Sequence, residues 1–559
     1  MYDEHVPVLI SGGSLVGLST AVFLAWHGVT PLLVERHEDT SIYARAWGVN
    51  PRTMELYRSV GLEPAIRAAQ RRLEGRQRTS GILRAESLAG EEHEWFEMPY
   101  LHGVFEDSSP VSPTGWAPCP QDKLEPLLRA RAVELGADVR FGVRLVSFEQ
   151  DGDGVTAVLE ERRTGARRTV RAGYLVGCDG NASQVRQALG IPTGGIGTMV
   201  HNMAILFRAD LTEALRGRAF MHCQVMNEDV MGVLGTDGER WQLDAMYFPG
   251  GEQEEFTEER CVALVRAAVG VPDLEVEILG RLPWELAARV AASLGSGRVF
   301  LAGDSARVHP PTGGFGANTG VQDAHNLAWK LAYVLAGRAG PGLLRTYEAE
   351  RLPVGRFTVD QAVARSLDRF KNPAVGDVAA VPITDDLTVM MGYRYRSAAV
   401  LPEPGEQWPR DGDQDVGDYD IGDYDDVNAP SGRPGTRAPH VVLDSGVSTL
   451  DLLGKDLTLL AGGDGTPWAD AAARAAGRRG LPLDTHLITD EPWAKAYGVS
   501  SRGAVLVRPD GFIAWRAERD APPGSDREGI LADVLDSVLG RVLGRVLGRV
   551  ATGATSTRR

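Results

Sequence analysis

A glycine-rich loop, Gly12-Gly13-Ser14-Leu15-Val16-Gly17, stands between a short apolar run, Val6 to Ile10, and a segment of helical character, Leu15 to Trp26. Gly12 permits a tight turn, and Gly17 permits the helix to pack close against a sheet. The free N–H groups and partial positive charge of the helix start favour phosphate. Ser14 replaces the middle glycine of the Gly-x-Gly-x-x-Gly pattern; it is small, and its hydroxyl is expected to add a donor. Gly28 stops the helix, and Leu32 to Glu35 reads as the next strand. Glu35, followed by Arg36, sits where a carboxylate suits the two hydroxyls of an adenosine ribose. This β-α-β start predicts a parallel sheet. The loop predicts a dinucleotide site without separating FAD from NAD.

Downstream the pattern changes. From Met203 to Phe248, short apolar runs broken at Asn227, Gly235 and Gly238 predict antiparallel strands. Strand-then-helix character returns over Arg298 to Leu335, so one domain is expected to be assembled from separated stretches. Asp411 to Asp426 is acidic and contains Gly-Asp-Tyr-Asp twice; such a stretch buries little apolar area and reads as a solvated linker. Val441 to Trp515 again reads as a small α/β unit. The tail repeats Leu-Gly-Arg-Val from Leu539, Leu543 and Leu547, a period that drifts from 3.6 and carries no assigned function. The net charge of −16 disfavours nucleic acid and anionic membrane. No apolar run is long enough to span a bilayer, and the start has no basic segment leading into an apolar one. Cys119, Cys178, Cys223 and Cys261 are widely spaced and form no Cys-x-x-Cys pair, which argues against a metal site and a disulfide framework. A reducing, cytoplasmic compartment is expected.

Two further motifs narrow the reading. Cys178-Asp179-Gly180-Asn181-Ala182-Ser183-Gln184-Val185-Arg186 follows the apolar strand Tyr174 to Gly177. Gly303-Asp304-Ser305-Ala306 follows the strand Val299 to Ala302 and continues through Pro310-Pro311-Thr312-Gly313-Gly314-Phe315-Gly316-Ala317-Asn318 into a helix. With the first loop, these resemble the flavin monooxygenases of para-hydroxybenzoate hydroxylase type. Arg45-Ala46, Asn50-Pro51-Arg52-Thr53-Met54-Glu55 and Gln121-Asp122-Lys123-Leu124-Glu125 are similar to the aromatic polyketide hydroxylases among them, such as those of tetracenomycin and anthracycline formation. The likeness extends to about residue 540.

The resemblance implies an α/β fold. An FAD-binding domain would be built from 1–75, 105–195 and 285–400, and an antiparallel-sheet substrate domain from 76–104 and 196–284. An acidic linker would occupy 401–435, a thioredoxin-like domain without Cys-x-x-Cys 436–545, and a tail 546–559. It also implies FAD as cofactor, NADPH or NADH as co-substrate, O2, and a polycyclic aromatic substrate hydroxylated through a C4a-hydroperoxyflavin in antibiotic biosynthesis, by a monomer or homodimer. Gly12, Ser14, Leu15, Val16, Gly17, Glu35 and Arg36 would hold the adenosine diphosphate. Arg45, Gln121 and Asp304 would lie along ribityl and pyrophosphate, and Pro311, Gly314, Gly316, Ala317 and Asn318 would meet the flavin ring. Asp179 and Arg186 would be mainly structural. Arg307 departs from the histidine common there.

Anionic reduced flavin suits the start of the helix expected over Asn318 to Leu335, and a closed site would exclude water. Met221, Met226, Met231, Leu234 and Trp241 read as the wall of a flat pocket or as ordinary core. His222 is a candidate proton acceptor, and Arg369 and Arg365 are candidates to face a phenolate or nicotinamide phosphate; a satisfied histidine and solvated helix charges are the alternatives. Other functions compatible with these residues are Baeyer–Villiger or ring-rearranging oxygenation, hydroxylation of simple phenols or of an antibiotic, and non-catalytic FAD binding.

Overall fold

The computed structural model describes residues 2–43, 45–70, 81–97, 110–247, 256–370, 381–406, 408 and 424–541, which form three sheets. The side chain of Arg369, most of the acidic linker and the last two tail repeats lie outside the described residues.

The first sheet has a parallel core in the spatial order Val299–Leu301, Arg167–Gly177, Glu4–Ser11, Leu32–Glu35 and Asp138–Phe141. Leu9 faces Leu175 on one side and Leu32 on the other. Val8, Leu9 and Ile10 are wholly buried, as an unbroken apolar run must be when helices cover both faces. The helix Leu15–Trp26 buries Leu18, Ala21, Val22 and Leu24, and packs against the helix Phe315–Leu335. Three neighbouring strands therefore end side by side at Ser11, Gly177 and Leu301. The crevice outside such carboxyl ends is where parallel sheets bind ligands.

The second sheet runs Arg307–Val308, Glu277–Ala291, Thr193–Arg208, Trp241–Tyr247, Met231–Thr236, His222–Met226, Gly81–Ala85 and Glu92–Glu97. It is antiparallel as expected, except that His222–Met226 and Gly81–Ala85 pair in parallel. One face packs on the helix Glu258–Val269. Leu234, Trp241 and Leu243 meet Cys261, Val265 and Ala268 there, and each fully buried large apolar side chain contributes about 1.5–3 kcal/mol. Leu234 and Trp241 are thus core behind the sheet, which corrects the pocket-wall reading for both. Met226 is exposed, Met231 is half-buried, and Met221 packs beside Phe315 and Trp116. Gly235 is a strand residue, not a turn: it pairs with Gln242, and a Cβ there would lie 3.0 Å from the Trp47 ring.

The third sheet has the order Leu483–Ile488, Leu457–Gly462, Ala504–Val507, Ile513–Ala517, parallel between the first two and antiparallel thereafter. The helices Thr466–Gly477 and Arg527–Val538 cover one face, and Trp493 and Tyr497 pack on the other. This β-α-β-α-β-β-α order, with Glu491–Ala496 as its short middle helix, is that of a thioredoxin-like unit. Trp329 and Tyr333 of Phe315–Leu335 share its core with Leu459 and Leu535. The expectation of a solvated linker is corrected at its described ends. Leu401 N–H donates to Ala514 O at 2.8 Å, Tyr424 bridges to Tyr393, and the Tyr424 and Phe357 ring centroids are 4.3 Å apart. Among the described residues no helix is long and apolar enough to cross a membrane.

Candidate cofactor and active site

The three sequence motifs meet at the strand ends. Gly12 has φ +110°, and a side chain there would strike the carbonyl of Cys178. A Cβ on Gly17 would strike the carbonyl of Gly12. Val16 sits against two bare backbones, since a Cβ on Gly303 or Gly320 would lie 2.7 or 2.6 Å from its Cγ2. Arg186 ties the second motif to the third by donating to the carbonyls of Ser305 and Asn181, both at 2.8 Å. Asp179 accepts from Ser183 Oγ at 2.5 Å and Val185 N at 3.0 Å, so it shapes its own loop.

Around the first loop the side chains are engaged. Glu35 accepts from Gly13 N at 2.6 Å and from His37 N at 2.8 Å. A carboxylate has about four acceptor positions, so Glu35 closes the loop and retains capacity for a ribose hydroxyl. Arg36 is exposed and donates to His37. Leu15 is buried, which anchors the helix start. Ser14 Oγ donates to Glu125 Oε1 at 2.6 Å and accepts from Gln121 Nε2 at 3.0 Å. Its hydroxyl hydrogen is therefore directed to Glu125 rather than to phosphate, a correction to the expected role. Glu125 also accepts from Gln121 Nε2 at 2.7 Å and from Ser41 N at 2.8 Å. It was missed as a hub, although Gln121 and Glu125 stand four apart on one helix, where side chains meet.

Asp304 projects from the third strand end as an exposed side chain. The surrounding protein raises its pKa, while Arg45 and Arg307 act against that rise. Arg45 is itself exposed. The adjoining loop turns through Gly314, φ +66°, into a helix that begins at Phe315 rather than Asn318. Burial of Phe315 beside Trp116 and Ile82 explains the earlier start. Gly316, Ala317 and Asn318 consequently occupy the first turn, where backbone N–H groups lack intrahelical partners. Pro311 and Gly314 are exposed beside them. The Asn318 side chain accepts from Asn50 N at 3.0 Å and donates to Gly314 O at 2.9 Å, fixing the start of the helix Pro51–Ser59. His309, unremarked in the sequence, bonds Thr358 at 2.9 Å through Nε2; burial and the Arg307 charge lower its pKa to about 3. Arg307 is buried and pairs with Asp323, which also accepts from Arg351 Nε at 2.7 Å.

The catalytic candidates separate. His222 opens the strand His222–Met226, half-buried and in register with Ile82. Arg365 is not a solvated helix charge: it donates to Asp386 at 2.8 Å and lies 5.1 Å from the Phe315 ring centroid.

Residues 5–362 match the family described as FAD binding domain, and residues 431–545 match aromatic-ring hydroxylase, C-terminal. A tetracenomycin B2 monooxygenase-dioxygenase from Streptomyces olivaceus is 46% identical over 95% of this chain and 99% of its own length. A 4-methyl-5-nitrocatechol 5-monooxygenase from a Burkholderia species is also 46% identical, over 95% of this chain and 97% of its own. Among solved structures, a ternary complex of aklavinone-11 hydroxylase with FAD and aklavinone superimposes with TM-score 0.86 at 40% identity, covering 97% of this chain and 100% of that one.

Proposed function

The chain belongs to the FAD-dependent aromatic-ring hydroxylases, and on that premise we propose that it hydroxylates a polycyclic aromatic polyketide, with NADPH or NADH as reductant and O2 as oxygen source, in antibiotic biosynthesis. The observation that carries the reading is the close packing of the three motif loops on one another at neighbouring strand ends: Gly12 against Cys178, Gly17 against Gly12, and Gly303 and Gly320 against Val16. These residues fit FAD. Bare backbone and a helix start suit a pyrophosphate, Glu35 keeps acceptor capacity for ribose, and Asp304 presents an open carboxylate for ribityl hydroxyls. Gln121 and Arg45 stand along the same path. The first turn of Phe315–Leu335 offers N–H groups and positive dipole to the electron-rich edge of a reduced ring. FAD supplies the activation of O2; the protein binds, orients and keeps water away. The four thiols, all buried and free, support a reducing, cytoplasmic setting.

The chain's own contribution is positional. Trp47 and Tyr43 lie against Gly235 and Gly280, so the segment carrying Arg45 runs across the second sheet. An aromatic substrate is held between that sheet and the cofactor crevice. Screening NADPH oxidation against polycyclic phenols, with peroxide measured alongside, tests this. A phenol that accelerates oxidation and yields a product one oxygen heavier supports it; oxidation that yields only peroxide across the panel contradicts it. The nitrocatechol relative favours a second reading, hydroxylation of a simple phenol, which the same screen distinguishes by which ring size couples.

A further inference from the structure

The second sheet has two faces, and its own helix covers only one. Along Trp241–Tyr247, Trp241, Leu243 and Ala245 point into the core under Glu258–Val269. The period of two sends Gln242 and Asp244 to the opposite face. Register extends that face across the sheet: Gln242 stands beside Gly235 and Leu206, Asp244 beside Val233 and Ala204, and Asn202 beside Trp284. It is also the face crossed by the cofactor-side loop, because Trp47 covers Gly235 and the Tyr43 hydroxyl would lie 2.5 Å from a Cβ on Gly280. Between those two aromatics, Ala46 O accepts from Gln121 N at 2.8 Å.

Polar groups gather here with valences to spare. Trp284 Nε1 donates to Asp244 Oδ1 at 3.0 Å, and Gln242 Nε2 donates to both carboxylate oxygens at 3.1 Å. Asn202 is 1% exposed and Gln242 3%. The Nδ2 of Asn202 and the Oε1 of Gln242 nevertheless have no hydrogen-bond partner. Unpaired polar atoms in such a place are unfavourable unless something else pairs them. Asp244 has acceptor capacity beyond its present donors. Burial pushes its carboxyl up to about 6, against the opposing bonds from Gln242 and Trp284. Val233 and Ala204 beside it, and Leu282 one strand beyond Ala204, are apolar and uncharged, a surface suited to a flat ring.

The geometry points to Asp244, with Asn202 and Gln242, as the seat for the polar edge of the aromatic substrate: a ring hydroxyl donates to Asp244, and the Asn202 amide meets a ring carbonyl or second hydroxyl. This rests on the reading of the chain as a hydroxylase of polycyclic aromatics. The contact is a hydrogen bond and transfers no proton. It fixes which ring edge faces away from the cofactor, and sharing the hydroxyl hydrogen with a carboxylate enriches the ring in electron density. Asp244 is thereby a specificity-determining residue.

The test uses the full FAD-loaded protein and calorimetric titration with 2-hydroxyanthraquinone and its methyl ether, 2-methoxyanthraquinone. Wild type is expected to bind the hydroxyl compound about 10- to 100-fold more tightly, the worth of a hydrogen bond to a charged group. In Asp244→Asn the amide oxygen turns to Trp284 and Gln242, and the NH2 faces the ligand. The preference should vanish or invert while the flavin spectrum and the affinity for the ether persist. Asn202→Ala, a milder variant, should weaken both compounds alike. The assignment is overturned if wild type binds neither compound or shows no preference, if Asp244→Asn keeps the preference, or if Asn202→Ala leaves both affinities unchanged. A protein that takes up no FAD is a separate result, and it strikes the underlying functional reading instead.

Discussion

Replacing Glu350 with leucine should loosen the C-terminal unit from the helix that reaches the cofactor crevice. Glu350 lies on the helix Gly342–Phe370 and accepts from Lys330 Nζ at 2.6 Å, Asn326 Nδ2 at 2.8 Å, Ser397 Oγ at 2.6 Å, and Arg508 Nη1 and Nη2 at 2.6 and 2.8 Å. Lys330 belongs to Phe315–Leu335, and Arg508 belongs to the turn before Ile513–Ala517. The side chains of all three are 0% exposed. Burial lowers the Lys330 pKa to about 8 even with Glu350 opposing, so the ammonium depends on that carboxylate. Removing one partner of a buried pair costs about 3–5 kcal/mol, because the other is left charged and dry. Asp510 still serves Arg508 at 2.5 Å, so the charge left dry is that of Lys330. Glu350→Leu combined with Lys330→Met removes both charges and should recover more than half of the loss. Trp329 is a built-in reporter, with Arg508 5.3 Å from its ring centroid. Urea unfolding followed by tryptophan fluorescence gives the four corners of the cycle. A Glu350→Leu loss below about 1 kcal/mol, or a double variant equal to the sum of its singles, would mean that the carboxylate does not hold Lys330 and Arg508 together.

Asp304→Ala should weaken FAD binding about 10- to 100-fold while leaving the unfolding midpoint of the apoprotein in place, read by flavin fluorescence titration and thermal melting. Ser14→Ala should lower stability by about 1 kcal/mol through loss of the Glu125 bond, with little change in FAD affinity; a large affinity change with no stability change would mean that the hydroxyl serves the cofactor. His325, buried edge-on to Phe23 at 4.7 Å, has its pKa lowered to about 3 by burial and by Arg52. The unfolded chain therefore binds a proton there that the folded one refuses. Its contribution is present above pH 6.5 and is lost as pH falls towards 3, at about 1.4 kcal/mol per pH unit. Asp244 opposes this between pH 6 and 3.8, since its folded pKa is raised. Acid unfolding of His325→Phe should accordingly show a shallower pH slope than wild type.

The parallel sheet was legible because its signals are local. Gly28 punctuates the helix Leu15–Trp26, and the unbroken runs Leu32–Glu35 and Val299–Leu301 are short, apolar and followed by turns. What the sequence left hidden depends on distance and on faces. Alternation marks Leu234 and Trp241 as one-sided but does not say which side carries the helix Glu258–Val269. Gly235 reads as a turn until Trp47, far away in the chain, is seen to occupy the space that a side chain would take. Ser14 and Glu125 find each other only when the helix Gln121–Glu134 crosses the phosphate loop. The end of the acidic stretch reads as solvated by composition, yet Tyr424 gains a ring partner in Phe357 from a helix before it. A lone aspartate in a strand carries no motif, so Asp244 has no signal in the sequence; its meaning comes from Trp284, Gln242 and the face they share.

Three separated loops that meet at neighbouring strand ends should together hold a reducible flavin. The direct measurement is the visible spectrum of the full chain after incubation with excess FAD and removal of free cofactor, before and after NADPH. A stoichiometric yellow complex that bleaches with NADPH and recovers in air is the expected result. A chain that folds cooperatively, stays colourless and retains no FAD would contradict it.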